Sequence, residues 1–168
     1  MSNDVANSFD QSIEKLISYV TNANENKGGY SRGDISSLRR MDVAEPSFTF
    51  WKMVAEAGIE ITSWNERQWA LIVKGLAIMG GSSSARPGSV AQEAGYSKSS
   101  ELRISRLLKS QGEDFETYVE GLVRFLANKG KTFSWYSFAR FILSTRDDVR
   151  KQFARDFYYQ PAEKQKAN

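Results

Sequence analysis

Apolar residues recur at steps of three and four along almost the whole chain, and no alternating apolar and polar run is long enough to form a strand. From Asp4 to about Asn24, Val5, Phe9, Ile13, Leu16, Ile17 and Val20 fall on one side of a helical wheel, with Asp4 as the expected N-cap. Gly28-Gly29 supplies a turn. Ser31 with Asp34 then opens a short helix, SRGDISSLRRM, by a capping box, with Ile35 and Leu38 inward and Arg32, Arg39 and Arg40 outward. Pro46 is expected at a first helical position, followed by Phe48, Trp51, Val54 and Ala55 as an inward face and Gly58 as the stop. Ser63 and Glu66 suggest a second capping box and a helix to about Met79, burying Trp69, Ile72, Leu76 and Met79, with Arg67 and Lys74 on the opposite face.

GGSSSARPG at 80–88 is the low-complexity break in this pattern. Ser89 to Gly95 then reads as a short helix. From Ser97 to Gln111 a helix places Ile104, Leu107 and Leu108 on one side, Arg106 and Lys109 opposite them, Arg103 on the flank and Leu102 among the basic residues. Glu113 to Asn128 carries Phe115, Tyr118, Val119, Leu122, Val123 and Leu126 in helical register, and Phe133 to Thr145 carries Trp135, Phe138, Phe141 and Ile142. Thr145 is the expected N-cap of the last helix, with Asp148 at its third position and Val149, Phe153 and Phe157 at steps of four. The expected fold is all-α, a two-lobed helical bundle with about eight to nine helices. It comprises an N-terminal helical lobe at 1–80, a flexible Gly/Ser loop at 81–88, a C-terminal four-helix bundle at 89–160 and a polar tail at 161–168.

Composition narrows the chemistry. A chain of 168 residues, 40% of them hydrophobic, has enough apolar content for one compact domain or two small lobes. Its net charge of +3 is uneven: Asp4, Asp10, Glu14 and Glu25 against Lys15 leave residues 1–26 at −3 and the remainder at +6. With no Cys there is no disulfide, thiol nucleophile or thiolate metal site; with no His, the commonest general base and zinc ligand are also missing. The polar, acidic start MSNDVANSFD is unlike a signal peptide, and no apolar run approaches a membrane span, so a cytoplasmic protein without a membrane partner is expected.

Individual motifs for catalysis are weak. Ser82, Ser83 and Ser84 lack both the G-x-S-x-G frame and a base, and their loop lacks the G-K-[ST] ending of a phosphate cradle. Asp147-Asp148 suits the positive end of a helix dipole better than a metal. Arg32-Gly33-Asp34 reads as a helix start. Trp51, Trp69 and Trp135 lie in apolar registers and are expected in the core, while Trp64, beside a helix start, is left open as a stacking residue. No cofactor is expected.

What remains is a repeated placement of basic residues opposite apolar faces: Arg39, Arg40, Arg67, Lys74, Arg103, Arg106 and Lys109. Arginine is as common as lysine, 12 against 11, and its fork suits bidentate phosphate contact. Such a set fits a nucleic-acid-stabilising subunit, or a helical adaptor whose arginines pair with acidic proteins. A helix-turn-helix regulator is disfavoured, because no short turn joins two helices in the needed pattern.

The order of the pieces is more specific than any one of them. RGDISSLRR at 32–40 precedes the Pro-led aromatic helix, SELRISRLLKSQ at 100–111 follows the Gly-rich loop, and FSWYSFARFILS at 133–144 precedes DDVRKQFARDFYY at 147–159. This series, over roughly residues 9 to 159, resembles the CasB family, the small subunit of the type I-E CRISPR surveillance complex Cascade. The resemblance implies a non-enzymatic, all-helical protein that works as a pair of copies with other Cascade subunits, crRNA and target DNA. There it would help hold the guide-bound target strand and the displaced strand of the opened duplex, the R-loop. Arg39 and Arg40 match the family's paired arginines, Arg67 and Lys74 basic positions of the long helix, and Arg103 and Lys109 basic positions of the central helix. Arg106 is basic here where some relatives are not, and Phe153 stands where many have Trp. The acidic run Glu113, Asp114, Glu116 and Glu120 argues that the helix after the basic one does not touch nucleic acid.

Overall fold

A computed structural model describes residues 2–96 and 102–159. Its regular structure among those residues is all helical: α1 (Ser2–Asn24), α2 (Arg32–Arg39), α3 (Phe48–Glu56), α4 (Glu66–Met79), α5 (Pro87–Glu93), α6 (Leu102–Lys109), α7 (Gly112–Asn128), α8 (Trp135–Leu143) and α9 (Asp147–Tyr158). The chain divides into two compact units, Met1–Ser82 and Ser83–Asn168. The expected helical residues Ser97 to Glu101, and the expected tail at 161–168, lie outside the described residues.

In the first unit α4 is the hub, with α1 and α2 packed on it. Ile13, Leu16 and Val20 of α1, Ile35 and Leu38 of α2, and Trp69, Leu71, Ile72 and Leu76 of α4 are buried, and the Phe9 ring meets Trp69 at 6.0 Å. The Ser31–Asp34 capping box forms as expected: Ser31 Oγ accepts from the Asp34 amide at 3.1 Å, and the Asp34 carboxylate accepts from the Ser31 amide at 2.8 Å.

Other starts differ from expectation. The helix α1 begins at Ser2, so Asp4 lies within its first turn and favours the dipole without capping it, and Val5 is 73% exposed. Pro46 precedes the helix, and Ser47 caps α3. Asn65, not Ser63, precedes α4; its side chain accepts from the Thr62 amide at 2.8 Å and donates to the Glu60 carbonyl at 3.1 Å, folding the turn on itself. Arg146, not Thr145, stands at the start of α9, and its amide donates to Ser144 Oγ at 3.1 Å.

The α3 face is rotated from its expected register. The buried set is Phe50, Met53, Val54 and Ala57, leaving Phe48 93% and Trp51 39% exposed. The stretch FTFWKMVAEA offers two apolar registers. The face led by Phe48 and Trp51 also carries Lys52, whereas the face led by Phe50 carries no charge and therefore buries at lower cost.

In the second unit an aromatic core joins Phe133, Trp135, Phe138 and Phe141, with Phe141 stacked on Phe153 of α9 at 4.9 Å. The short α5 begins at Pro87, two residues before the expected start, and packs closely on α9. A Cβ at Gly88 would lie 2.4 Å from the Phe153 carbonyl oxygen, so only glycine allows the approach. Ser89 Oγ donates to the Asp156 carbonyl at 3.2 Å, and Arg86 pairs with the Asp156 carboxylate at 3.0 Å. The Gly/Ser segment is pinned where it enters this unit: the Ser83 amide donates to the Phe133 carbonyl at 3.0 Å and the Ser134 amide to the Ala85 carbonyl at 2.8 Å.

Candidate nucleic-acid interface

The α6 helix is built like a plank with one face nailed down. Ile104 and Leu107 are fully buried as α6 packs on α7, while Arg103, Arg106 and Lys109 are exposed and Leu102 is 57% exposed. Burying each aliphatic side chain contributes about 1.5–3 kcal/mol, which fixes the rotation of so short a helix. Arg106 and Lys109 also fall in its last turn, where the helix dipole favours cations.

Two further contacts hold the plank. The Arg103 guanidinium lies 5.6 Å from the centre of the Tyr96 ring, which packs edge-on against Phe125 at 5.3 Å. Burial pushes the Tyr96 hydroxyl above its ordinary pKa, and Arg103 acts in the opposite direction. At the other end Arg150 of α9 donates to the carbonyls of Leu108 at 2.6 Å and Ser110 at 2.9 Å, with its guanidinium 4.8 Å from the Phe115 ring. These are carbonyls a helix end leaves without intrahelical partners. The sequence pattern did not single out Arg150, and nothing local tied it to residues 42 and 40 positions earlier.

In the first unit the basic residues separate into different situations. Arg40, just past α2, is exposed, with no hydrogen-bond or ion-pair partner for its side chain among the described residues. Arg39 is exposed too, yet its Nε donates to the Ala77 carbonyl in the last turn of α4 at 2.8 Å. Arg32 clasps the Asn24 carbonyl through Nε at 3.2 Å and a terminal nitrogen at 3.0 Å. Arg67 is half-buried in the first turn of α4. Lys74, expected on an outer face, is only 9% exposed. The reason is the position of α4: every residue from Trp69 to Ala77 is buried, so the side opposite Trp69 and Ile72 is covered as well.

Arginines that the sequence pattern did not single out line a cleft of about 720 Å³ in the second unit, among α5, α8 and α9. Arg86, Arg140 and Arg155 border it, with Phe141 and Phe153 as apolar lining. Asp156 in that lining is engaged by Arg86, and Asp148 by Arg146 at 2.8 Å. The outward register of Arg140 and Arg155 on aromatic-rich helices was the available signal. No group of acidic residues able to hold a metal occurs among the described residues, and no helix there is long and apolar enough to cross a membrane.

The described residues thus form a helical scaffold that carries exposed arginines and lysines in each of two units. The family model for CRISPR-associated protein Cse2 matches residues 34–158, and the chain belongs to that family, the CasB small subunit of the type I-E Cascade complex. No curated protein matches the chain significantly, and no solved structure does.

Proposed function

We propose that this Cascade subunit acts without catalysis, holding sugar-phosphate backbone through Arg40 in the first unit and Arg103, Arg106 and Lys109 in the second, and so favouring the opened target duplex. The observation that carries this reading is α6: its apolar side is sunk into the core while its basic side, including the exposed Leu102, is left facing outward. Arg39 and Arg67 of the first unit are assigned as supporting contacts, Arg39 with one nitrogen already committed to Ala77. Lys74, being covered, is set apart from them. The absence of both His and Cys from the sequence supports a binding role over an enzymatic one.

Guide RNA displaces one DNA strand by exchanging base pairs of similar stability, so a few backbone contacts tip the balance without reading sequence. A net charge of +3 supplies little attraction to the isolated chain; alignment comes from crRNA, target DNA, the other Cascade subunits and a second copy within a cytoplasmic complex.

The test is the triple substitution Arg40→Ala, Arg106→Ala, Lys109→Ala in the assembled complex. Target DNA affinity falls, and the slope of log affinity against log salt becomes shallower by roughly 0.7–0.9 for each phosphate that is no longer neutralised. Melting temperature and subunit occupancy stay at wild-type values. Unchanged DNA affinity at full occupancy would remove these residues from the interface.

A further inference from the structure

One segment of the first unit has the opposite character to α6. Between Met41 and Asn65, Asp42, Glu45, Glu56 and Glu60 stand against Lys52 alone, a net charge of −3 in a chain of net +3. The same segment holds Phe48 at 93% exposure, Trp51 at 39% and Trp64 at 89%. Phe48, Trp51 and Ala55 are spaced to share the outer side of α3, and all three are exposed. A single exposed aromatic ring is ordinary on a protein surface; three in 25 residues of net negative charge are not.

Both exposed posts are held in place. Phe48 stands in the first turn of α3 directly after its cap Ser47, which accepts from the Phe50 amide at 3.4 Å. Trp64 stands on the turn that Asn65 bolts to Thr62 and Glu60, and its own amide donates to Thr62 Oγ1 at 3.3 Å. Backbone held in this way loses little freedom on docking. Glu56 is partly committed, accepting from the Tyr30 hydroxyl at 2.7 Å, Asp42 accepts from the Ala44 amide at 2.9 Å, and Lys52 lies over the Tyr30 ring at 5.0 Å, so Glu45 and Glu60 are the outward acidic groups chosen for the test.

We infer that the segment bearing Phe48, Trp51 and Trp64, with Glu45 and Glu60, docks a basic protein surface of the same ribonucleoprotein. The sign of the charge decides between occupants. A phosphate chain is repelled by carboxylates, whereas lysines and arginines are attracted by them and also favour the faces of Trp and Phe rings. The inference rests on membership of the Cascade subunit family and not on the phosphate contacts proposed for α6.

The probe is the complex of the remaining subunits and guide RNA, purified without this chain and without target DNA, then titrated with the labelled full-length chain. Phe48→Ser with Trp64→Ser weakens docking by about tenfold or more, as expected for central aromatic anchors, while melting temperature is unchanged because both rings are almost fully exposed. Glu45→Lys with Glu60→Lys weakens docking separately, and more at low salt than at high. The triple substitution at Arg40, Arg106 and Lys109 leaves this docking intact, which separates the two interfaces. Wild-type docking by the Phe48 and Trp64 variant would overturn the inference. So would self-association of the isolated chain that this variant abolishes, since the occupant would then be a second copy.

Discussion

The helices α4 and α6 share a sequence pattern but differ in structure. Each places basic residues opposite an apolar sector, Arg67 and Lys74 in one and Arg103, Arg106 and Lys109 in the other. In α4 the basic side is covered: Lys74 is buried and Arg67 half-buried. In α6 it is open. Periodicity reports which residues share a face, and the elements that pack around a helix decide whether that face meets solvent. Burying a long basic side chain is tolerable when its stem packs against apolar groups, so the pattern alone carries no penalty that would reveal it.

The comparison is broken most severely by removing what holds α6 down. Leu107→Ala should cost about 2–5 kcal/mol of stability, the range for truncating a fully buried leucine, and lower the melting temperature of the chain. A drop below about 1 kcal/mol in denaturant unfolding would mean that α6 is not anchored by its apolar side. Lys74→Met sharpens the contrast at smaller magnitude. Replacing a covered lysine by an apolar side chain of similar length should leave target DNA affinity of the assembled complex unchanged. Loss of DNA affinity at normal stability would return Lys74 to the interface.

The smallest effect concerns the pedestal under Arg103. The Tyr96 pKa is raised by burial, so the folded state favours the neutral phenol; this stability is present below the ordinary tyrosine value of 10.0 and is lost as pH rises above it. Tyr96→Phe should flatten the alkaline fall in melting temperature, and Arg103→Ala should shift the Tyr96 titration further upward, read from tyrosinate absorbance as a difference against Tyr96→Phe. A downward shift on removing Arg103 would contradict the stacked placement.

Much of this fold is legible in the residues themselves. α7 and α8 carry uninterrupted helical periodicity, and the Ser31–Asp34 box announces α2 through hydrogen bonds that need no distant partner. The family likeness reads from the order of short motifs, and the family assignment at 34–158 agrees with it. The failures differ in cause. The cover over Lys74 and the capping of α6 by Arg150 depend on elements distant in sequence, which no local window contains, whereas the rotation of α3 follows from the charge of Lys52 and lay within the local sequence. Of the seven basic positions, those on α6 were readable because Ile104 and Leu107 fix its rotation, while Arg39 required knowledge of where the Ala77 carbonyl would lie.

The missing side chain at Gly88 has reach beyond its own helix. Because α5 and α9 touch there backbone to backbone, any bulk introduced at 88 must push α9 aside, and α9 carries the guanidinium that grips the end of α6. A methyl group placed there would thus be transmitted, lever-like, to the row of cations on α6, coupling the tightest joint of this unit to the alignment of its outermost charges.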